Sequence, residues 1–189
     1  MSLYTLTFLT IKTHYNDYNL LQRLQLITTY YNLLQLLQPI TTSMKILMVC
    51  LGNICRSPLA EGVMQHLSKE NGLDWHVDSA GTGNWHIGEG PDRRSTRTAR
   101  NHGIDISGQV CRLFRVSDFD EFDRIFVMDK NNLKDILGMA RNEDDEKKIK
   151  LLLGDKIVPD PYYDDQQFEP VFKMIEQGCR EIIESLRQN

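Results

Sequence analysis

The chain has 189 residues, of which 41% are apolar and 25% charged, with a net charge of −4. That length suits one globular domain with a sizeable core, and a pI near 5.7 leaves no basic footprint for nucleic acid. Four cysteines, only two of them close in sequence, do not read as a disulfide framework, and with no secretory signal the expected setting is reducing and cytoplasmic.

Residues 1–43 differ in character from the rest: they hold no glycine, and Lys12, Asp17 and Arg23 are their only Lys, Arg, Asp or Glu residues. Leu20, Leu21, Leu24, Ile27, Tyr31, Leu34 and Leu37 recur at helical spacing, which predicts an amphipathic helix over about 18–38. No apolar run there reaches the ~18 residues needed to span a bilayer, and the scarcity of Lys and Arg argues against a membrane surface. The segment is either such a helix or an extension outside the natural product, ahead of a start at Met44. No chemistry is assigned to it.

From Met44 the chain punctuates itself. Residues 45–49 form a short apolar run that predicts a buried strand, and it leads into VCLGNICRSP, residues 49–58. Ser57 is a preferred N-cap and Pro58 a suitable first helical residue. Leu59, Val63, Met64 and Leu67 supply the apolar face of the helix, which Asn71 and Gly72 end. Residues 75–79 predict a second strand, leading into Gly81 and Gly83. Residues 95–102 have helical potential up to Gly103, and residues 122–128 predict a third strand followed by a helix to about Leu137. The charged tract 142–148 reads as a solvated loop, and residues 148–153 as a fourth strand. Phe168, Val171, Phe172, Ile175, Ile182, Ile183 and Leu186 mark a closing amphipathic helix. Alternating strands and helices imply a three-layer α/β fold, a four-stranded parallel sheet with helices on both faces. In such sheets ligands bind beyond the carboxyl ends of the strands, where VCLGNICRSP falls.

The loop's chemistry follows from its residue types. Four residues separate Cys50 from Cys55, and no second Cys or His pair follows, so the spacing does not suit zinc. A redox CxxC motif is absent too. An anion cradle fits: backbone amides at a helix N-terminus point inward and the helix dipole adds positive potential. The same field favours the thiolate of Cys50, as does Arg56. The planar fork of Arg56 can grip two oxygens of a phosphate. Gly52 admits a tight backbone, Asn53 tolerates a left-handed conformation, and Ser57 can donate toward the sulfur.

Cys50, five residues, then Arg56 and Ser57, within VCLGNICRSPLAEGV, resemble the signature of the low-molecular-weight protein tyrosine phosphatase family. The likeness continues through residues 77–81 and 101–104, Asp118 with Phe119, Phe122 with Asp123, Met128 and Asp129 with Asn132, and residues 160–163, so it covers 44–189. It implies a flavodoxin-like sheet, a catalytic domain over 44–189, no metal or organic cofactor, a tyrosine-phosphorylated protein as partner, and phosphate as product or inhibitor. It makes Cys50 the nucleophile, Arg56 the phosphate clamp, and Leu51, Gly52, Asn53, Ile54, Cys55 and Ser57 the rest of the binding loop. Asp160, between Pro159 and Pro161, reads by itself as a turn residue. The resemblance turns it into the general acid and base, with Tyr162 and Trp85 as walls of an aromatic slot. Asn53, Ser57 and Ser79 are implied to brace the loop.

The stretch 108–113 departs from the family, which usually carries a His or a denser basic cluster there. Arg112 keeps part of that pattern. Cys55, a thiol beside an activated thiolate, is a candidate to close a reversible disulfide on Cys50, whereas Cys111 and Cys179 read as buried hydrophobes. His102 reads as a helix-end residue. Three alternatives stay open. Arsenate reductases share the loop but use two further cysteines close together, whereas Cys111 and Cys179 are far apart in sequence. Protein-arginine phosphatases usually place Thr at the position of Ile54. A non-catalytic phosphoprotein-binding module would need neither Cys50 nor Asp160.

Overall fold

The computed structural model describes residues 22–30 and 43–187. The chain divides into two compact units, Met1–Thr41 and Thr42–Asn189. In the first, residues 22–30 form helix α1 with exposed side chains, and the Thr28 and Thr29 hydroxyls each donate back one turn, to the Leu24 and Gln25 carbonyls at 2.8 Å. The remainder of the helix expected over 18–38 lies outside the described residues.

In the second unit four parallel strands lie in the order β2-β1-β3-β4. They are β1 Met44–Cys50, β2 Trp75–Gly81, β3 Arg124–Val127 and β4 Ile149–Leu151. The period of two along a strand sorts side chains onto opposite faces, and two separate cores result. Ile46 and Met48 of β1, with Phe126 and Met128, pack against Leu59, Val63 and Met64 of α2 (Arg56–Glu70) and Val171, Phe172 and Ile175 of α7 (Phe168–Arg187). Leu47 and Val49, with Ile125 and Val127, pack on the other face against Phe119 of α4 (Asp118–Glu121) and Ile136 of α5 (Lys130–Leu137). Buried on both faces, β1 reads as an unbroken apolar run, as central parallel strands do. The expected three-layer α/β architecture is therefore present.

Local details differ from the sequence reading. Helix α2 begins at Arg56, not after Ser57; Cys55 is its N-cap and makes no side-chain capping bond. Pro58 is tolerated as the third helical residue because first-turn amides lack intrahelical partners in any case. The tract expected to be a solvated loop is helix α6, Glu143–Lys148. Asn142 caps it by accepting from the Asp145 amide at 2.9 Å, and its acidic first turn and basic end complement the helix dipole. Helix α3 spans Arg93–Asn101, capped by Asp92, and so starts two residues early; His102 is its C-cap, and Gly103 (φ 76) follows. The third strand is shorter than expected because Phe122 ends α4 and Asp123 leaves the ladder, its carboxylate accepting from the Lys45 amide at 2.8 Å. Cys111 and Cys179 are buried. Cys111 packs with Ile54, Cys55 and Phe168, and Cys179 lies in the core against α2.

Candidate active site

β1 delivers Cys50 to the carboxyl edge of the sheet, opposite Gly81 of β2. The turn from there to α2 is tight. A Cβ at Gly81 would stand 2.9 Å from the Leu51 carbonyl oxygen and 3.2 Å from Asn53, so only glycine lets β2 pass beneath the loop. Gly52, expected to admit the tight backbone, does not carry that burden: a Cβ there would make ordinary contacts of 3.5 Å with His86. The left-handed residue is Asn53, at φ 54, a conformation asparagine reaches more easily than most side chains.

Behind the loop lies a buried polar chain. Asn53 Nδ2 donates to Ser57 Oγ and to Ser79 Oγ, each at 2.9 Å, while its Oδ1 accepts from the Arg112 amide at 2.9 Å. Both amide hydrogens of Asn53 are thereby used, so each serine must direct its own hydrogen elsewhere. That of Ser79 goes to Glu61 Oε2 at 2.7 Å. Ser57 has the Cys50 sulfur at 3.0 Å and the Ala80 carbonyl, more distant, at 3.4 Å. The Asn53 amide reaches the same sulfur at 3.3 Å. Asn53 and Ser57 thus aim donors at Cys50 from behind rather than forming the cleft wall.

Arg56 is buried beside this sulfur, and its guanidinium joins three elements. Nη1 donates to Asp129 Oδ2 at 2.6 Å and to the Val158 carbonyl at 3.3 Å; Nη2 donates to Asp160 Oδ2 at 2.7 Å. Burial alone would lower its pKa, but Cys50, Asp160 and Asp129 together raise it further, so it stays charged. Asp129 also caps α5, accepting from the Asn132 amide at 2.8 Å. Asp160 Oδ1 accepts from the Tyr162 amide at 3.1 Å.

These groups open into a cleft of about 340 Å³ lined by Cys50, Leu51, Gly52, Ile54, Cys55, Arg56, Trp85, His86, Asp160, Tyr162 and Tyr163. Trp85 lies across Gly83, where a Cβ would come within 1.9 Å of the indole. Burial pushes the Cys55 thiol up to about 12, with Asp92 adding to the rise, so it is held protonated in the wall. Arg112 sits behind: its guanidinium donates to Asp78 at 2.9 Å and Asp118 at 3.0 Å. Ser79 and Arg112 therefore support the loop and do not reach the cleft. Among the described residues, no group of three or more His, Cys, Asp or Glu is arranged to hold a metal ion.

Three residues escaped the sequence reading. Asp129 entered only as part of the family likeness, with Met128 and Asn132, and was given no role. Arg94 joins the loop to the Asp160 segment: it donates to Asp92 at 2.8 Å, to the Tyr162 carbonyl at 3.0 Å and to Asp165 at 2.6 Å, with its guanidinium 4.6 Å from the Phe168 ring centroid. The Asp92 amide in turn donates to the Ile54 carbonyl at 2.8 Å. Glu61 ends the polar chain. Burial raises its pKa to about 7, the bonds from Ser79 and Gln65 and the charge of Arg112 opposing while Asp78 assists.

Comparison with known proteins places this geometry. A family model described as low molecular weight phosphotyrosine protein phosphatase matches residues 45–189. The human low molecular weight phosphotyrosine protein phosphatase is 41% identical over 149 residues, 74% of this chain and 93% of that protein. The crystal structure of YfkJ from Bacillus subtilis aligns with a TM-score of 0.72 at 38% identity, covering 79% of this chain and 98% of that one. That of the drosophila arginine phosphatase aligns with a TM-score of 0.71 at 35% identity, covering 76% and 98%.

Proposed function

Because the chain belongs to the low molecular weight phosphotyrosine protein phosphatase family of phosphoric monoester hydrolases, we propose that Cys50, Arg56 and Asp160 hydrolyse phosphotyrosine through a cysteinyl phosphate. The Cys50 thiolate attacks phosphorus in line, forming the S–P bond as the P–O bond to the tyrosine ring breaks. Asp160 gives its proton to the departing phenolate. A water then attacks phosphorus, Asp160 takes its proton, and the S–P bond breaks to release phosphate and restore the thiolate. Throughout, the Arg56 fork and the loop amides hold the equatorial oxygens.

The observation that carries this reading is the set of donors on one sulfur, Ser57 at 3.0 Å and the Asn53 amide at 3.3 Å, beside a buried arginine. It also suggests how substrate engages the acid. The Asp160 carboxylate lies on Arg56 Nη2, an edge that a phosphate dianion would claim. Phosphate binding then frees the Asp160 side chain, which takes up a proton from solvent and meets the leaving oxygen as the acid. Trp85, Tyr162, Leu51 and Ile54 offer apolar surface to a phenyl ring, and a phosphorylated protein supplies it. A thiolate nucleophile persists in a reducing compartment, which supports the cytoplasmic placement; among the described residues no helix is long and apolar enough to cross a membrane.

Phosphoarginine is the second reading, favoured by the structural likeness to the drosophila arginine phosphatase. Rates on phosphotyrosine, phosphoarginine and phosphoserine peptides separate the two, with arsenate reduction as control. Phosphotyrosine is expected to turn over fastest; a faster phosphoarginine rate replaces the first reading with the second. Cys50→Ser is expected to lower kcat by about 10⁴-fold or more while keeping the melting temperature. Full turnover by that variant would sink both.

A further inference from the structure

Helix α3 concentrates positive charge in a chain whose net charge is negative. Its sequence, RRSTRTARN, buries Ser95, Thr98 and Ala99 and leaves Arg93, Arg97 and Arg100 exposed. Spaced i, i+4 and i+7, those three share one stripe. With Thr96 and Asn101 they line a shallow depression of about 270 Å³. Among the described residues none of the three makes an ion pair, although Arg100 acts on Asp105 at longer range.

The stripe is rooted at the substrate slot. Asp92, which caps α3, donates its amide to the Ile54 carbonyl of the Cys50 loop at 2.8 Å. Arg94, on the flank of the same helix, donates to the Tyr162 carbonyl and stands 5.4 Å from that ring. Three acids of this rim are held by arginine, Asp92 and Asp165 by Arg94 and Asp160 by Arg56, and Glu89 contacts His86. Asp164, without an ion pair, accepts from the Gln166 amide. Of the four arginines on α3, Arg93, Arg97 and Arg100 are therefore the ones left without a paired carboxylate among the described residues.

We propose that the outer face of α3 docks an acidic segment flanking the phosphotyrosine of the substrate. The proposal rests on the phosphotyrosine reading above. At 1.5 Å rise per residue, Arg93 to Arg100 span about 10 Å, which an extended peptide covers in about three residues. The acidic side chains sought form a run of about four residues on one side of the phosphotyrosine.

The test uses p-nitrophenyl phosphate and two phosphotyrosine peptides of equal length, one with Glu and one with Lys at those positions. Wild type is compared with a variant carrying Arg93→Gln, Arg97→Gln and Arg100→Gln. Exposed charge pairs are each modest, so wild type is expected to favour the Glu peptide by about tenfold in kcat/KM, mainly through KM. That preference should collapse at high salt and shrink to about twofold in the triple variant, with p-nitrophenyl phosphate hydrolysis unchanged in both. Equal kcat/KM for the two peptides, or a preference the triple variant keeps, would overturn the docking face. So would loss only of binding to phosphatidylserine vesicles, which would assign the stripe to a lipid surface. Failure of wild type to hydrolyse p-nitrophenyl phosphate sinks the catalytic reading instead, and the proposal with it.

Discussion

The cleft is built from two segments held in opposite ways. The loop from Cys50 to Ser57 is fastened from within: Asn53, Arg56 and Ser57 are buried, and the hydrogens of Asn53 and Ser79 are matched to acceptors. The Asp160 segment is fastened from outside. Tyr163 there is 93% exposed and Tyr162 40%, and the segment is tied by Arg56, by Arg94 and by the bond from the Val158 amide to the Met128 carbonyl at 2.8 Å. The division suits the chemistry. An anion cradle stabilises charge best when its donors need no reorganisation, whereas the general acid proposed at Asp160 would have to leave Arg56 to reach a leaving oxygen.

Removing the acid gives the largest separation between the two segments. Asp160→Asn is expected to lower kcat about 10²- to 10³-fold on phosphotyrosine, with a much smaller loss on an aryl phosphate whose phenolate is a good leaving group. Alkylation of Cys50 by iodoacetate should continue, since the thiolate's donors come from the other segment. Equal slowing across leaving groups would deny Asp160 the proton transfer.

A smaller effect is expected from loosening the outside fastening alone. Arg94→Ala removes the bonds to the Tyr162 carbonyl and to Asp165 and the side-chain pair with Asp92, while the donors on the Cys50 sulfur and the Asp92 amide bond to the Ile54 carbonyl are not made by Arg94. It should lower kcat by about tenfold, the scale of a misplaced acid rather than a missing one, and leave the alkylation rate of Cys50 unchanged. If alkylation falls in step with kcat, the two segments are a single unit and the contrast drawn between them fails.

The same contrast explains what could be read from the residues in order. Cys50, Asn53, Arg56 and Ser57 lie within one short stretch where an apolar strand gives way to a helix, so residue types and their place at a helix start pointed to an anion cradle. Asp160 was legible only through family likeness, because Pro-Asp-Pro is also ordinary turn chemistry. The fastenings of its segment were illegible because they are long-range: Arg94 is 68 residues from Tyr162 and Asp129 is 73 from Arg56. The three-layer fold followed from alternating apolar periods, yet α6 was missed because its charged tract hides a capping asparagine. Ser57 was misread as a helix cap for a related reason. The sulfur and Asn53 compete for its hydroxyl, and only tertiary structure shows that they win.

Glu61 makes the smallest change to turnover and the sharpest statement about the inner fastening. Its carboxyl is raised from 4.5 to about 7, chiefly by burial, so between those values the folded chain holds a proton that the unfolded chain has released. Stability must then fall as pH rises through that window and level off above it, a total on the order of 3 kcal/mol. Glu61→Gln cannot ionise but can still accept the Ser79 hydrogen, and Gln65 keeps its bond to the Val77 carbonyl at 2.9 Å. Turnover should therefore change only a few-fold, while urea midpoints at pH 5 and pH 8 should differ less in the variant than in wild type. An identical pH dependence in both would mean that Glu61 keeps an ordinary carboxylate pKa and that burial does not govern it. The inner segment would then be wetter than its hydrogen-bond pattern implies, and less rigid than the contrast with the Asp160 segment requires.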